Sequence, residues 1–100
     1  MPDPRIHPIV RTNDFAAGVG GVSAIVVAAN PQRVDIEITN DLATVVYLSR
    51  SDPAAVGEGI KLIQNGSYFM DTQNLFLGAF YAICNEQEDG SLAISEGEWQ

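Results

Sequence analysis

The chain contains one cysteine, Cys84, and one histidine, His7, in 100 residues. A single thiol closes no internal disulfide, so the fold has no covalent staple and nothing points to an oxidising compartment. Catalysis by a Cys-His or Ser-His-Asp set would require His7, which lies among Pro2, Pro4 and Pro8, to fold onto the body. Cys84 sits in an apolar run without a neighbouring cation to lower its pKa, the setting of an inert buried thiol. One His and one Cys are too few for a metal site, and Glu86-x-Glu88-Asp89-Gly90 lacks the alternating ligands of a calcium loop. Gly18-x-Gly20-Gly21 lacks the third glycine of a dinucleotide fingerprint. The expectation is a non-enzyme with no cofactor, metal or catalytic residues.

Cations are also scarce: five Lys and Arg stand against 13 Asp and Glu, a net charge of −8. Arg5, Arg11, Arg33, Arg50 and Lys61 all precede Asp71, Glu86, Glu88, Asp89, Glu96 and Glu98, so the C-terminal third is anionic. Such a field repels phosphate and disfavours nucleic-acid binding. No apolar run approaches the ~18 residues of a membrane span, and no secretory segment is visible, so a soluble protein is expected. At 100 residues the chain suits one domain, too short for a core plus a deep, many-part active site.

What the chain does contain is β patterning. Val34-Asp35-Ile36-Glu37-Ile38-Thr39 alternates strictly, one face apolar and one polar. Ser23–Ala29 before Asn30-Pro31, Thr44–Ser49, Leu75–Cys84 with a break at Gly78, and Leu92–Glu96 are further strand candidates. Ile60–Leu62 and Ser67–Met70 flank Gln64-Asn65-Gly66, which reads as a hairpin with a tight turn; Asn85–Gly90 reads as a second hairpin-like loop. The best helical turn is Asp52–Val56, with Asp52 as N-cap and Pro53 first in the helix. The spacing predicts an all-β, single antiparallel β-sandwich of about seven strands. Residues 1–21, broken by prolines and ending in Gly18-Val19-Gly20-Gly21, are expected to form an extended N-terminal arm, and 22–100 the sandwich domain.

Asn65-Gly66-Ser67 also matches the sugar-acceptor pattern, but without an export signal the turn reading is preferred. In Ala24–Ala29, Val45–Leu48 and Ala79–Cys84 both faces are apolar, so something other than water is expected over the second face. The arm folding back, a neighbouring copy or a larger assembly would serve. Phe80 and Tyr81 are the expected inter-subunit residues.

Asn30-Pro31-Gln32-Arg33 leading into Val34-x-Ile36-x-Ile38-x-Asn40, then Val46-Tyr47-Leu48, Gly59-Ile60-x-Leu62, Gly66-Ser67 and Gly78-Ala79-Phe80-Tyr81-Ala82-Ile83, resembles small β-sandwich virion proteins of tailed bacteriophages, over residues 25–96. The resemblance implies a capsid decoration or cement protein on the outer head surface, with the major capsid protein and neighbouring copies as partners, assembled in the bacterial cytoplasm. Tail, adaptor and head-fibre components share the fold and form the alternative. Pro4, Arg5, Ile9, Arg11 and Phe15 are the expected capsid contacts, because an arm adds contact area without enlarging the core. A carbohydrate-binding module, suggested by Trp99, Tyr68, Phe69 and Tyr81, is the reading from another class.

Overall fold

A computed structural model describes residues 9–71, 75–85 and 89–99. Among them are eight strands and no helix: β1 (Arg11–Val19), β2 (Ala24–Val27), β3 (Arg33–Asn40), β4 (Val46–Ser49), β5 (Ile60–Leu62), β6 (Ser67–Met70), β7 (Phe80–Ile83) and β8 (Gly90–Glu98). They form two antiparallel sheets of four, in the orders β1-β8-β3-β6 and β2-β7-β4-β5. This is the strand order of a jelly roll, in which nearly every connection crosses from one sheet to the other. The first is the long sheet, with two nine-residue strands; the second is the short sheet, with no strand over four residues.

The core is the space between them. Phe15, Ile94, Ile38 and Tyr68 share one row of the long sheet and point inward, because residues directly opposite in an antiparallel pair lie on the same face. Val46, Leu48, Leu62, Phe80 and Ala82 answer from the short sheet, all buried. Cys84 is buried in the same cluster, as its apolar surroundings suggest.

The N-terminal expectation needs correction. Residues 11–19 are not an arm but β1, paired with β8 along its whole length. Phe15, Ala17 and Val19 pack on the core. Their period of two is masked in the sequence because Ala16 and Gly18, on the other face, are also small and uncharged. The strand count is therefore eight rather than seven, and Gly18-Val19 belong to the strand, with Gly20-Gly21 making the turn into β2.

Neither expected hairpin forms. β5 pairs with β4 in the short sheet, β6 with β3 in the long one, and β7 and β8 likewise lie in different sheets. Asn65 takes the positive φ of a tight turn, 65°, and Gly66 N–H donates to Ile63 O at 2.8 Å. The tight turn is there, centred on Gln64 and Asn65 rather than on the Asn65-Gly66 pair, but it makes a corner between sheets. Asn40 anchors that corner: its buried side chain donates to Thr44 O and Leu62 O and accepts from Leu42 N–H, while its backbone bonds both Asn65 and Gly66. The loop expected to hold a helical turn at Asp52–Val56 holds none, and its Asp52–Pro53 peptide is cis.

Candidate docking surfaces

Alternation along the strands gives each sheet an outer face, and the two differ in chemistry. On the long sheet, the outward rows are Thr12, Gly97 and Asp35; Asp14, Ser95, Glu37 and Phe69; and Ala16, Ala93, Thr39 and Ser67. Small residues on β8 form the floor of a shallow groove whose rims carry Asp14, Glu37 and Thr39. Asp14 accepts from Ser95 Oγ at 2.6 Å and Thr39 shares a hydrogen bond with Ser67 at 2.8 Å. Asp35 has its carboxyl pKa raised above 3.8, first by burial and then by repulsion from Asp71 and Glu37, against a lowering hydrogen bond from the Gly97 backbone.

The short sheet presents Ile25, Tyr81 and Ser49 in one row and Ile83, Tyr47 and Lys61 in the next. None of these is a carboxylate. The three strands with two apolar faces in the sequence are thus β2, β7 and β4, adjacent members of one sheet.

Part of what covers this face comes from the chain itself. The segment between β4 and β5 leaves the sheet after Ser49, yet Ala54 N–H donates to Ser23 Oγ at 2.8 Å. Ser23 precedes Ala24 and so falls in the row of Ile83 and Tyr47, behind the point where the loop departs. The loop has doubled back over the outside of β7. Ala54 is 4% exposed although it stands outside the core cluster, and Tyr47, Tyr81 and Ile83 are half-buried. Gly59 closes the loop at a φ of +91°, where a Cβ would clash with Leu48 O, so both the backbone conformation and the space require glycine. Ile25 stays open at 57% exposure, and Val22 before β2, Val56 before β5 and Ile63 after β5 are exposed as well.

The two sheets are tied by a polar cluster that the sequence reading used only as part of a motif. Arg33, fully buried, donates from Nε to Glu96 Oε2 at 2.6 Å, from Nη1 to Phe76 O and Gly78 O at 2.7 and 3.0 Å, and from Nη2 to Ala28 O at 2.8 Å. Its guanidinium also lies 5.4 Å from the Phe80 ring centroid. β3 and β8 of the long sheet are thereby pinned to the segments flanking β2 and β7. With four of its five N–H donors paired the charge is structural; strict alternation with Val34, Ile36 and Ile38 would turn Arg33 outward, and its burial goes with the register shift between Arg33 and Asp35.

The expected contact residues are scattered. Pro4 and Arg5 lie outside the described residues, as do Glu86 and Glu88 of the acidic loop. Ile9 is 48% exposed and lies near Gly97 and Asp35 on the long sheet's outer side. Arg11 is in β1, its Nε 3.8 Å from Glu98 Oε1, and Phe15 packs half-buried on the core. Phe80 cannot join a neighbouring copy while the fold is intact: it is fully buried, edge-on to Phe76 with ring centroids 5.4 Å apart. Tyr81, next along the strand, is the residue of that pair that faces outward. Alternation alone forces the two apart.

No family model, curated protein or solved structure matches this chain. Among the described residues no group of three or more His, Cys, Asp or Glu is placed to hold a metal ion, and no helix is long and apolar enough to cross a membrane.

Proposed function

We propose that this chain is a structural protein of a tailed-bacteriophage virion, a decoration or cement protein that binds the major capsid protein on the outside of the head. The observation that supports this reading is the inequality of the two outer faces. A copy seated with its short sheet on the capsid would cover Ile25 and the exposed Val22, Val56 and Ile63, with Lys61 available to a capsid carboxylate. The long sheet would then turn Asp14, Asp35 and Glu37 to solvent, where an anionic surface keeps particles apart. Four short strands span only about 250 Å², at ~4.8 Å between strands and ~3.3 Å per residue. A stable interface takes about 800 Å² per partner, so the surrounding loops must share in the contact.

Deleting residues 1–21 does not test this, because it removes β1. Ile25→Asp is the cleaner change, since the side chain is already exposed. Purified protein should co-sediment with DNA-free heads of the phage that encodes it, and Ile25→Asp, with unchanged unfolding, should stay in the supernatant. Sedimentation with tails instead of heads would move the assignment to the tail or adaptor reading. Equal binding by wild type and Ile25→Asp would remove the short sheet as the docking face.

A further inference from the structure

The sandwich has four edge strands, β1, β6, β2 and β5, and they are not equally protected. An exposed edge offers unpaired N–H and C=O groups to any other strand, and proteins blunt it with short strands, bulges, lysine or proline. β2 has four residues and a register shift between Ile25 and Val27; β5 has three, with Lys61 at its centre; β6 has four. β1 has nine, about 30 Å of strand, in unbroken register with β8 and with neither lysine nor proline. Arg11 to Asp14 are all exposed.

The hydrogen bonds settle which amides of β1 are spare. Trp99 N–H donates to Gln32 O on the β3 side of β8, so by alternation Glu98, Glu96, Ile94, Leu92 and Gly90 present their amides to β1. Through the register these meet Arg11, Asn13, Phe15, Ala17 and Val19. Val10 N–H donating to Glu98 O agrees, as a local bulge where the strand begins. The amides and carbonyls of Thr12, Asp14, Ala16 and Gly18 therefore face away from the sheet.

We propose that β1 is a pairing edge for a second copy of this chain, β1 against β1 in antiparallel sense about a two-fold axis beside Phe15. In that register Thr12 meets the second copy's Gly18 and Asp14 its Ala16. Each such pair exchanges two hydrogen bonds, about eight in all. No two carboxylates stand directly opposite, whereas a shift of one residue along each strand would set Asp14 against Asp14. The two Phe15 side chains become a close, non-hydrogen-bonded pair, each covering the part of the other that its own core leaves open. The product is a continuous eight-stranded sheet, and the self-complementary patch closes after two copies. Each copy carries a net charge of −8, so screening favours the pair: association strengthens with salt. This pairing is separate from the docking reading, since a copy that never met a head would still pair.

The test is light scattering of the full chain across concentration and salt. The mass should rise from 10.7 kDa toward twice that value as protein is concentrated, and at lower concentration in 0.5 M than in 0.05 M NaCl, a roughly tenfold range being ample to see it. Ala16→Pro removes an outward-facing N–H at a position where an edge strand tolerates proline, and should stay monomeric with the wild-type circular dichroism spectrum. Amide exchange at Thr12, Asp14, Ala16 and Gly18 should slow with concentration, while that at Asn13, Phe15 and Ala17 is slow throughout. A wild-type monomer under all conditions, a dimer that survives Ala16→Pro, or exchange at those four amides independent of concentration would overturn the proposal. If Ala16→Pro unfolds, the exchange measurement on wild type decides.

Discussion

The outer faces of the two sheets solve the same problem by opposite means. The long sheet meets solvent mainly with Asp14, Asp35, Glu37, Thr39 and Ser95, polar groups that water satisfies, with Phe69 (56% exposed) and Ile9 (48%) as its open apolar residues. The short sheet carries Ile25, Tyr47, Tyr81 and Ile83 outward and is partly roofed by its own loop, through Ala54 and Ser23. Burial on one face is the rule for a solvated antiparallel sheet. A sheet apolar on both faces has a second interface to fill, and here the chain fills part of it while leaving Ile25 open. The difference shows where a partner would gain most: hydrophobic burial returns roughly 25 cal/mol per Å² on the short sheet, whereas on the long sheet a partner would have to desolvate carboxylates.

The largest expected effect comes from cutting the tie between the sheets. Glu96→Ala leaves the Arg33 guanidinium buried without its anion, and a loss of about 3–5 kcal/mol in urea unfolding is expected. That removes much or all of the stability of a domain this small, so the comparison between faces would be lost with the fold. A loss under about 1 kcal/mol would mean that the three carbonyl bonds of Arg33 suffice without the ion pair.

Lifting the roof alone is the next step down. Gly59→Ala forces a side chain into a positive φ and against Leu48 O, at a cost of about 1–3 kcal/mol. Amide exchange should quicken in β4 and β5 and in the loop around Ala54, with β1 and β8 unaffected. Uniform loosening of both sheets would show that the roof holds the whole sandwich rather than one face.

The smallest effect belongs to the long sheet. Because burial raises the Asp35 pKa above 3.8, the folded chain holds that proton more tightly than the unfolded one. Stability from this group is therefore lost as pH rises from near 3.8 through the raised folded pKa, and stays lower above it. Asp35→Asn should be slightly more stable than wild type at pH 7, by a few tenths of a kcal/mol as surface changes usually are, and the gap should close toward pH 4. A gap that widens on acidification would mean that Asp35 is stabilised as an anion, with the Gly97 hydrogen bond outweighing burial.

Much of the fold was open to reading in the primary structure. Val34–Thr39 alternates because one face of β3 is core and the other wet, and the two-faced apolar runs marked three neighbouring strands of one sheet before any pairing was known. The expected contact set was less legible. Phe80 and Tyr81 are adjacent apolar residues, and nothing local says which faces inward; the register with β2 and β4 decides. Phe15 looked like part of an arm because its partner strand lies at the other end of the chain. Arg33 stood out only as one of five cations and as the end of Asn30-Pro31-Gln32-Arg33, because Glu96 and three carbonyls from distant segments supply its counterparts.

By itself, then, the order of residues determined that the chain is built of short strands, where most of them lie, which one has a polar face, and that Gln64-Asn65-Gly66 turns sharply. These are local properties: side-chain alternation and backbone preference act over two to four residues. The tertiary structure alone decided that the turn joins two sheets, that residues 11–19 form an edge strand with spare hydrogen-bonding groups, and that a loop roofs the short sheet. Each of those depends on which distant strand supplies the partner. That choice is made by burying Ile36, Leu48, Phe80 and Ile94 together, from strands throughout the chain.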